Sequence, residues 1–152
     1  MRSLLCLLVL YAALFAEPSA DRKVALGLVD ACAQAPKTYE AEGFKPDGTV
    51  RAIFYDALPW QGKPTRVFAW IGLPAKREGK VPGMVLIHGG GGTAFKEWVQ
   101  KWNAQGFAAI SIAVEGQTDV NESKVKGRST WARHPFAGPA RDGTFADTKL
   151  PL

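Results

Sequence analysis

The sequence predicts an α/β fold, and three observations carry that expectation. Met84 to Ile87 and Phe107 to Val114 are apolar runs with a β-branched bias. Between them, Ala94 to Gln105 places apolar residues at helical spacing. Strand, helix and strand in about 30 residues make a βαβ unit with parallel strands and a right-handed crossover. Upstream, Val50 to Tyr55 and Thr65 to Leu73 read as two strands, with Val67, Ala69 and Ile71 alternating against Arg66, Phe68 and Trp70. Their short connection predicts an antiparallel pair.

Residues 1–20 differ in composition from the rest. Arg2 precedes an apolar run from Leu4 to Phe15, and small residues follow at Ala16, Ser19 and Ala20. That is the pattern of a secretory signal peptide. The run is shorter than the roughly 20 apolar residues a spanning helix needs. Cleavage is expected after Ala16 or Ala20, which makes the mature protein secreted or periplasmic with no stable membrane association. It also removes Cys6 and leaves Cys32 alone, so no internal disulfide forms and the fold rests on its core.

The next segment, 21–48, reads as a helix and a linker. Asp21 is an N-cap, Val24, Leu28, Ala31 and Cys32 share a face, and Pro36 stops the helix near Ala35. Cys32 is expected to be a small buried hydrophobe. Lys37 to Gly48 is polar, with a turn signal at Asp47-Gly48. Residues 49–115 hold the core. Leu58 to Pro64 reads as a loop and Pro74 to Pro82 as a charged turn. Met84 to Ile87 is apolar throughout, as for a strand with both sheet faces covered. The helix from Lys96 to Gln105 turns Phe95, Trp98, Val99 and Trp102 inward, and Gly106 ends it. Beyond Glu115 periodicity disappears, so 116–152 is expected to be a long irregular loop or lid. The stop at Leu152, with no helix stop or polar terminus, reads as a truncated chain.

The 152 residues are 47% hydrophobic and 22% charged, which is globular rather than disordered. Nineteen Lys and Arg against 14 Asp and Glu give a net charge of +5. The basic residues are scattered, as at Lys76, Arg77 and Lys80, without a basic helix face or aromatic interleaving. That argues against nucleic acid as a partner. The two histidines, His88 and His134, lie far apart, and no His-Glu-x-x-His or cysteine pair is present, so no metal is expected.

The chemistry concentrates in His88-Gly89-Gly90-Gly91-Gly92, between strand and helix. Glycines there expose backbone N–H groups and tolerate positive φ. Such a turn suits an anion. One reading is an oxyanion hole, and His-Gly-Gly-Gly after a central strand is a described form of it. A second is a dinucleotide site. Gly89 to Ala94 formally fits G-x-G-x-x-A, and Glu115 ends the next strand, where a ribose-binding acid belongs. Two preceding strands, His88 ahead of the first glycine and the export signal count against it. A Walker A loop is excluded, because no Gly-Lys-Ser/Thr follows. A third reading is a secreted, non-enzymatic module that holds a sugar or peptide on Trp60, Trp70 and Trp131.

Arg66-Val67-Phe68-Ala69-Trp70-Ile71-Gly72-Leu73-Pro74, then Pro82-Gly83-Met84-Val85-Leu86-Ile87-His88-Gly89-Gly90-Gly91-Gly92, then Glu97-Trp98 and Gln105 to Ile110 follow a familiar order. Over residues 49–115 the chain resembles the N-terminal part of an α/β-hydrolase, nearest the secreted acetyl xylan esterase and dienelactone hydrolase-like branches. The resemblance implies an α/β-hydrolase-type sheet, incomplete here, with helices on both faces. It implies a serine ester hydrolase that needs no cofactor and acts on a small-molecule or carbohydrate ester. It assigns an oxyanion N–H to Gly90, with Gly91 the second candidate, and support of the turn to His88. The family's Gly-x-Ser-x-Gly elbow is absent. Ser111 lies inside a strand, Ser129 has Trp131 where the second glycine belongs, and His134 matches the catalytic base poorly. Nucleophile, acid and base are therefore expected to be missing from this chain, leaving it inactive alone.

Overall fold

The structure, a computed structural model, describes residues 20–127 and 129–138. Nearly all of the expected signal segment, Cys6, Arg128 and residues 139–152 of the expected lid lie outside the described residues. The chain divides into two compact units, the first reaching Ala35 and the second beginning at Pro36.

The first unit contributes α1 (Ala20–Ala31). The helix closes with the Cys32 N–H on Leu28 O at 3.0 Å, one turn before Pro36. Asp21 is the second residue of that range. Val24, Leu28 and Val29 are exposed, and so is the Cys32 thiol, contrary to the burial expected of them. Periodicity marks a helix face; it does not supply a surface to cover it.

The second unit is built on a five-stranded mixed sheet, β1 (Thr38–Glu40), β2 (Val50–Trp60), β3 (Lys63–Gly72), β4 (Gly83–Ile87) and β5 (Ala108–Ala113), in the order β1-β2-β3-β5-β4. β2 and β3 form the expected antiparallel pair, and β4 and β5 the expected parallel pair. The hairpin is longer than the sequence suggests. Pro59 and Pro64 argue against strand, yet both fall where the ladder is irregular, between Ala57 and Trp60 on one strand and beside Lys63 on the other. A proline without an N–H is tolerated there. Thr65 Oγ1 donates to Leu58 O at 2.7 Å across that gap. The turn is Gln61-Gly62, both with positive φ (48° and 74°), as a tight type I′ hairpin requires. β1 lies inside the expected linker. It has three residues, too few to show a period, and pairs Tyr39 with Phe54.

One face of the sheet packs on α2 (Lys96–Ala104). In register across the strands, Val50, Ala52, Phe68, Trp70, Ala109 and Ala113 meet Ala94 and Val99, all nearly inaccessible to solvent. Phe44, Phe54, Met84, Leu86 and Trp102 complete this core. Ring contacts tighten it: the Phe68 ring lies tilted against Phe44 with centroids 4.7 Å apart and edge-on to Phe54 at 5.6 Å. Alanines on β5 let the helix approach. α2 ends in a Schellman cap: Gly106 N–H bonds Asn103 O and Phe107 N–H bonds Trp102 O, with the Trp102 and Phe107 rings 5.1 Å apart. On the other face Val85 and Ile87 are 61% and 62% exposed, so β4 is covered on one side only. The expected burial on both faces is not observed. β4 also ends the sheet, which explains the exposure.

The tail is not structureless. β6 (Gln117–Asn121) and β7 (Trp131–Arg133) form a two-stranded antiparallel sheet, pairing Gln117 with Arg133 and Asn121 with Trp131. β6 is mostly polar and β7 has three residues, too few to show a period, so neither stands out in a hydrophobicity argument. They are fastened to the main sheet at two places. Asp119 accepts a 2.8 Å hydrogen bond from the buried Trp70 indole. Arg66 lies between the rings of Tyr39 (3.7 Å) and Phe136 (4.3 Å), beside Asp56.

The tightest backbone approach in the core is at Gly72. A Cβ there would collide with Asn103 Oδ1 and lie 2.8 Å from Val50 Cγ2. Gly72→Ala is expected to lower stability by about 1–3 kcal/mol, as core overpacking does. Urea denaturation measures this, and Gly83→Ala, where a Cβ meets open space, is the control.

Candidate functional site

The glycine turn leaves the C-terminal end of β4 and leads into α2. His88 anchors it. The imidazole is buried, and its Nε2 accepts the Val114 N–H at 3.1 Å. Its proton therefore sits on Nδ1, which donates to Gly89 O at 2.6 Å. One ring thus ties the end of β4, the turn and the end of β5. Both nitrogens are engaged, which leaves neither to act as a base. A Cβ on Gly92 would stand 2.8 Å from the His88 ring, so close packing against the imidazole requires glycine.

Gly89, Gly90 and Gly91 are exposed beyond this anchor. Gly91 has a φ of 75°, in the left-handed region. Gly92 N–H closes the turn on Gly89 O at 3.1 Å. Thr93, fully buried, donates to Thr118 O at 2.8 Å. Phe95, at the N-cap of α2, gives its N–H to Ser111 Oγ at 3.0 Å. Ser111 is thus a buried structural hydroxyl, away from any solvent-facing cleft.

The segment after β5 closes over the turn. Gln117 Nε2 donates to Gly92 O at 2.8 Å and the Trp131 indole to Gly91 O at 3.2 Å. The Glu115 carboxylate faces the Gly91 N–H with both oxygens at 3.3 Å. Of the three tryptophans of the module reading, Trp70 is 2% exposed and Trp131 donates to the turn, while Trp60 is half-buried at the end of β2. Sequence reasoning marked Glu115 only as a ribose-binding acid. Gln117 and Arg133, which donates to Glu115 O at 2.7 Å, gave no signal.

His134 follows β7 and is buried, with neither ring nitrogen bonded. Its ring packs edge-on against Phe54 at 4.9 Å. Burial, together with the adjacent Arg133, holds its pKa down at about 4. A histidine kept neutral in an apolar pocket, with no bond to a hydroxyl or carboxylate, is not arranged as a general base. Among the described residues no group of three His, Cys, Asp or Glu side chains is placed to hold a metal.

Residues 47–136 match the acetyl xylan esterase (AXE1) family, well over half of the chain. The chain belongs to that family. No curated protein and no solved structure matches it. The acetyl xylan esterase match runs from Asp47, before β2, to Phe136, after β7, so it takes in the sheet, the glycine turn, α2 and the β6–β7 pair. It places the chain among esterase-type hydrolases, as the resemblance of residues 49–115 implied. Among the described residues no helix is long and apolar enough to cross a membrane.

Two measurements check the two histidines. His88→Ala strands the Val114 N–H and Gly89 O together and is expected to lower stability by about 2–4 kcal/mol by chemical denaturation. For His134 the native pKa lies below the ordinary value, so the unfolded chain binds more protons between pH 6.5 and 4. Its neutral form favours the fold above pH 6.5, and that advantage fades as pH falls toward 4. Wild type is expected to lose about 1–3 kcal/mol more than His134→Phe over this interval. Parallel stability curves for the two proteins would remove His134 as the source.

Proposed function

We propose that this chain forms the N-terminal part of the catalytic domain of a secreted serine ester hydrolase. Its substrates are acetyl or other carboxylic esters, carbohydrate esters included. Gly90 and Gly91 present backbone N–H groups to the oxyanion, and His88 holds the turn that aims them. The observation that carries this reading is the exposed turn at the end of β4, whose Gly91 N–H already faces a carboxylate.

As an ester carbonyl is attacked, its oxygen gains charge. Fixed N–H donors stabilise that oxygen without reorganising, and removing one such donor typically costs roughly 3–4 kcal/mol in the barrier. Gly91 reaches the required conformation because it is glycine. No Gly-x-Ser-x-Gly occurs in the 152 residues, and Ser111 is buried and engaged. The nucleophile and its base and acid are therefore assigned outside them, and the acyl-enzyme forms on that serine. The chemistry requires no cofactor. Export rests on residues 1–20.

The experiment is to read the gene past codon 152 and assay the product of the open frame. A Gly-x-Ser-x-Gly followed by turnover of 4-nitrophenyl acetate and acetylated xylan is the expected result. In that protein Gly91→Ala is expected to lower kcat roughly 10- to 1000-fold with a smaller change in KM. The 152-residue chain alone is expected to show no turnover. A stop codon at position 153 would remove the esterase reading and favour a binding module.

A further inference from the structure

The Gly91 N–H faces a carboxylate that belongs to the chain itself. Glu115 stands with both oxygens 3.3 Å from Gly91 N. Those distances exceed the usual ~2.9–3.0 Å, as in a bond shared between two acceptor oxygens. The backbone fixes where Glu115 starts. Gly116 follows with a φ of 77°, and a Cβ there would lie 2.7 Å from Ala137 and 3.1 Å from the Arg133 guanidinium. Arg133 holds Glu115 O at 2.7 Å and Gly138 O at 2.7 Å. Gln117 Nε2, buried and bonded to Gly92 O, reaches Glu115 Oε2 at 3.4 Å. The Trp131 indole holds the Gly91 carbonyl from the other side. The peptide on which the donor sits is thus clamped, while the carboxylate that covers it is carried on a side chain.

A carboxylate has the shape and charge of the acid released by ester hydrolysis. It also resembles the oxygen that such donors serve. We infer that Glu115 is the internal occupant of an anion site at Gly91, and that an external carboxylate of the acetate class binds there by displacing it. The inference rests on the oxyanion reading of the turn. Substrate entry then requires the Glu115 side chain to swing off Gly91 while the clamp of Gln117, Trp131 and Arg133 stays closed. External affinity is lowered by the fraction of molecules in which Glu115 is away.

The test uses the 152-residue chain labelled with 15N, with sodium acetate as the probe. The Gly91 amide resonance is followed in wild type, Glu115→Gln and Glu115→Ala, and the buried amides of Phe68 and Ile53 report that each variant is folded. Acetate is expected to bind at Gly91 at least about tenfold more tightly in both variants than in wild type, and neutral acetamide to leave the resonance in place. Equal acetate affinity in all three proteins overturns the internal occupant and leaves the oxyanion reading standing. A chloride response as large as that to acetate reduces the effect to general charge and also overturns it. No response at Gly91 in any of the three removes the oxyanion reading, and the occupant with it.

Discussion

The buried imidazole of His88 is the constraint on which the site depends. It spends one nitrogen on the Gly89 carbonyl and the other on the Val114 N–H. A parallel pair such as β4 and β5 has no hairpin to hold its ends together, so their separation at the C-terminal end has to be set by something else. Here a side chain sets it. The ring also dictates its neighbours. Gly92 cannot carry a Cβ, because the imidazole occupies that space. With the turn drawn down on His88, Gly91 swings outward into the left-handed region and α2 starts at Lys96.

A second layer keeps the turn from relaxing. β6 and β7 are short, and an isolated two-stranded ribbon is marginal in water. Their attachment to the main sheet makes up for this. Burial pushes the Asp119 carboxyl up, and the Trp70 indole bond works against that shift. Lys96 lies over the other part of the same indole at 4.9 Å. At the far side, Asp56 pairs with Arg66, accepts the Tyr39 hydroxyl and so orders the cation between two rings. Arg66 N–H also bonds Phe136 O. β6 and the residues after β7 are therefore tied to the main sheet at Asp119 and Phe136.

The sheet was legible where apolar residues repeat. The β2–β3 and β4–α2–β5 units follow from Val67, Ala69 and Ile71, from Met84 to Ile87, and from Val99 and Trp102 at helical spacing. The short elements were not legible. Thr38–Glu40 and Trp131–Arg133 contain three residues each, and Gln117–Asn121 is polar on both faces. Such strands exist because an existing edge or partner offers hydrogen bonds, which is tertiary information. Prolines misled for a related reason. Pro59 and Pro64 break a ladder in general, but a bulge absorbs them here. At the site, His88 and the glycines stood out because their residue types are unusual after a strand. Glu115 and Trp131 stood out only for other roles, and Gln117 and Arg133 not at all, because their contacts with the turn and with Glu115 span 18 to 40 residues and end on main-chain atoms.

A site made of main-chain donors shifts its sequence requirements onto residues that never meet a substrate. Any residue but proline has an N–H to offer, so Gly91 matters for its φ and not for its chemistry. The side-chain demands fall on His88, which fixes the turn, and on Glu115, which faces the donor. They differ in physical kind. His88 is buried, so losing it leaves partners unsatisfied and the turn disordered. Glu115 is half-buried and faces the turn at Gly91, while the His88 anchor bonds Gly89 and Val114 and does not pass through it. On the oxyanion reading proposed above, a turn held by His88, Gln117 and Trp131 presents the same donor whether or not Glu115 faces it. That is the condition for stabilising charge that develops during a reaction, since donors already in place lose nothing to rearrangement when the charge appears.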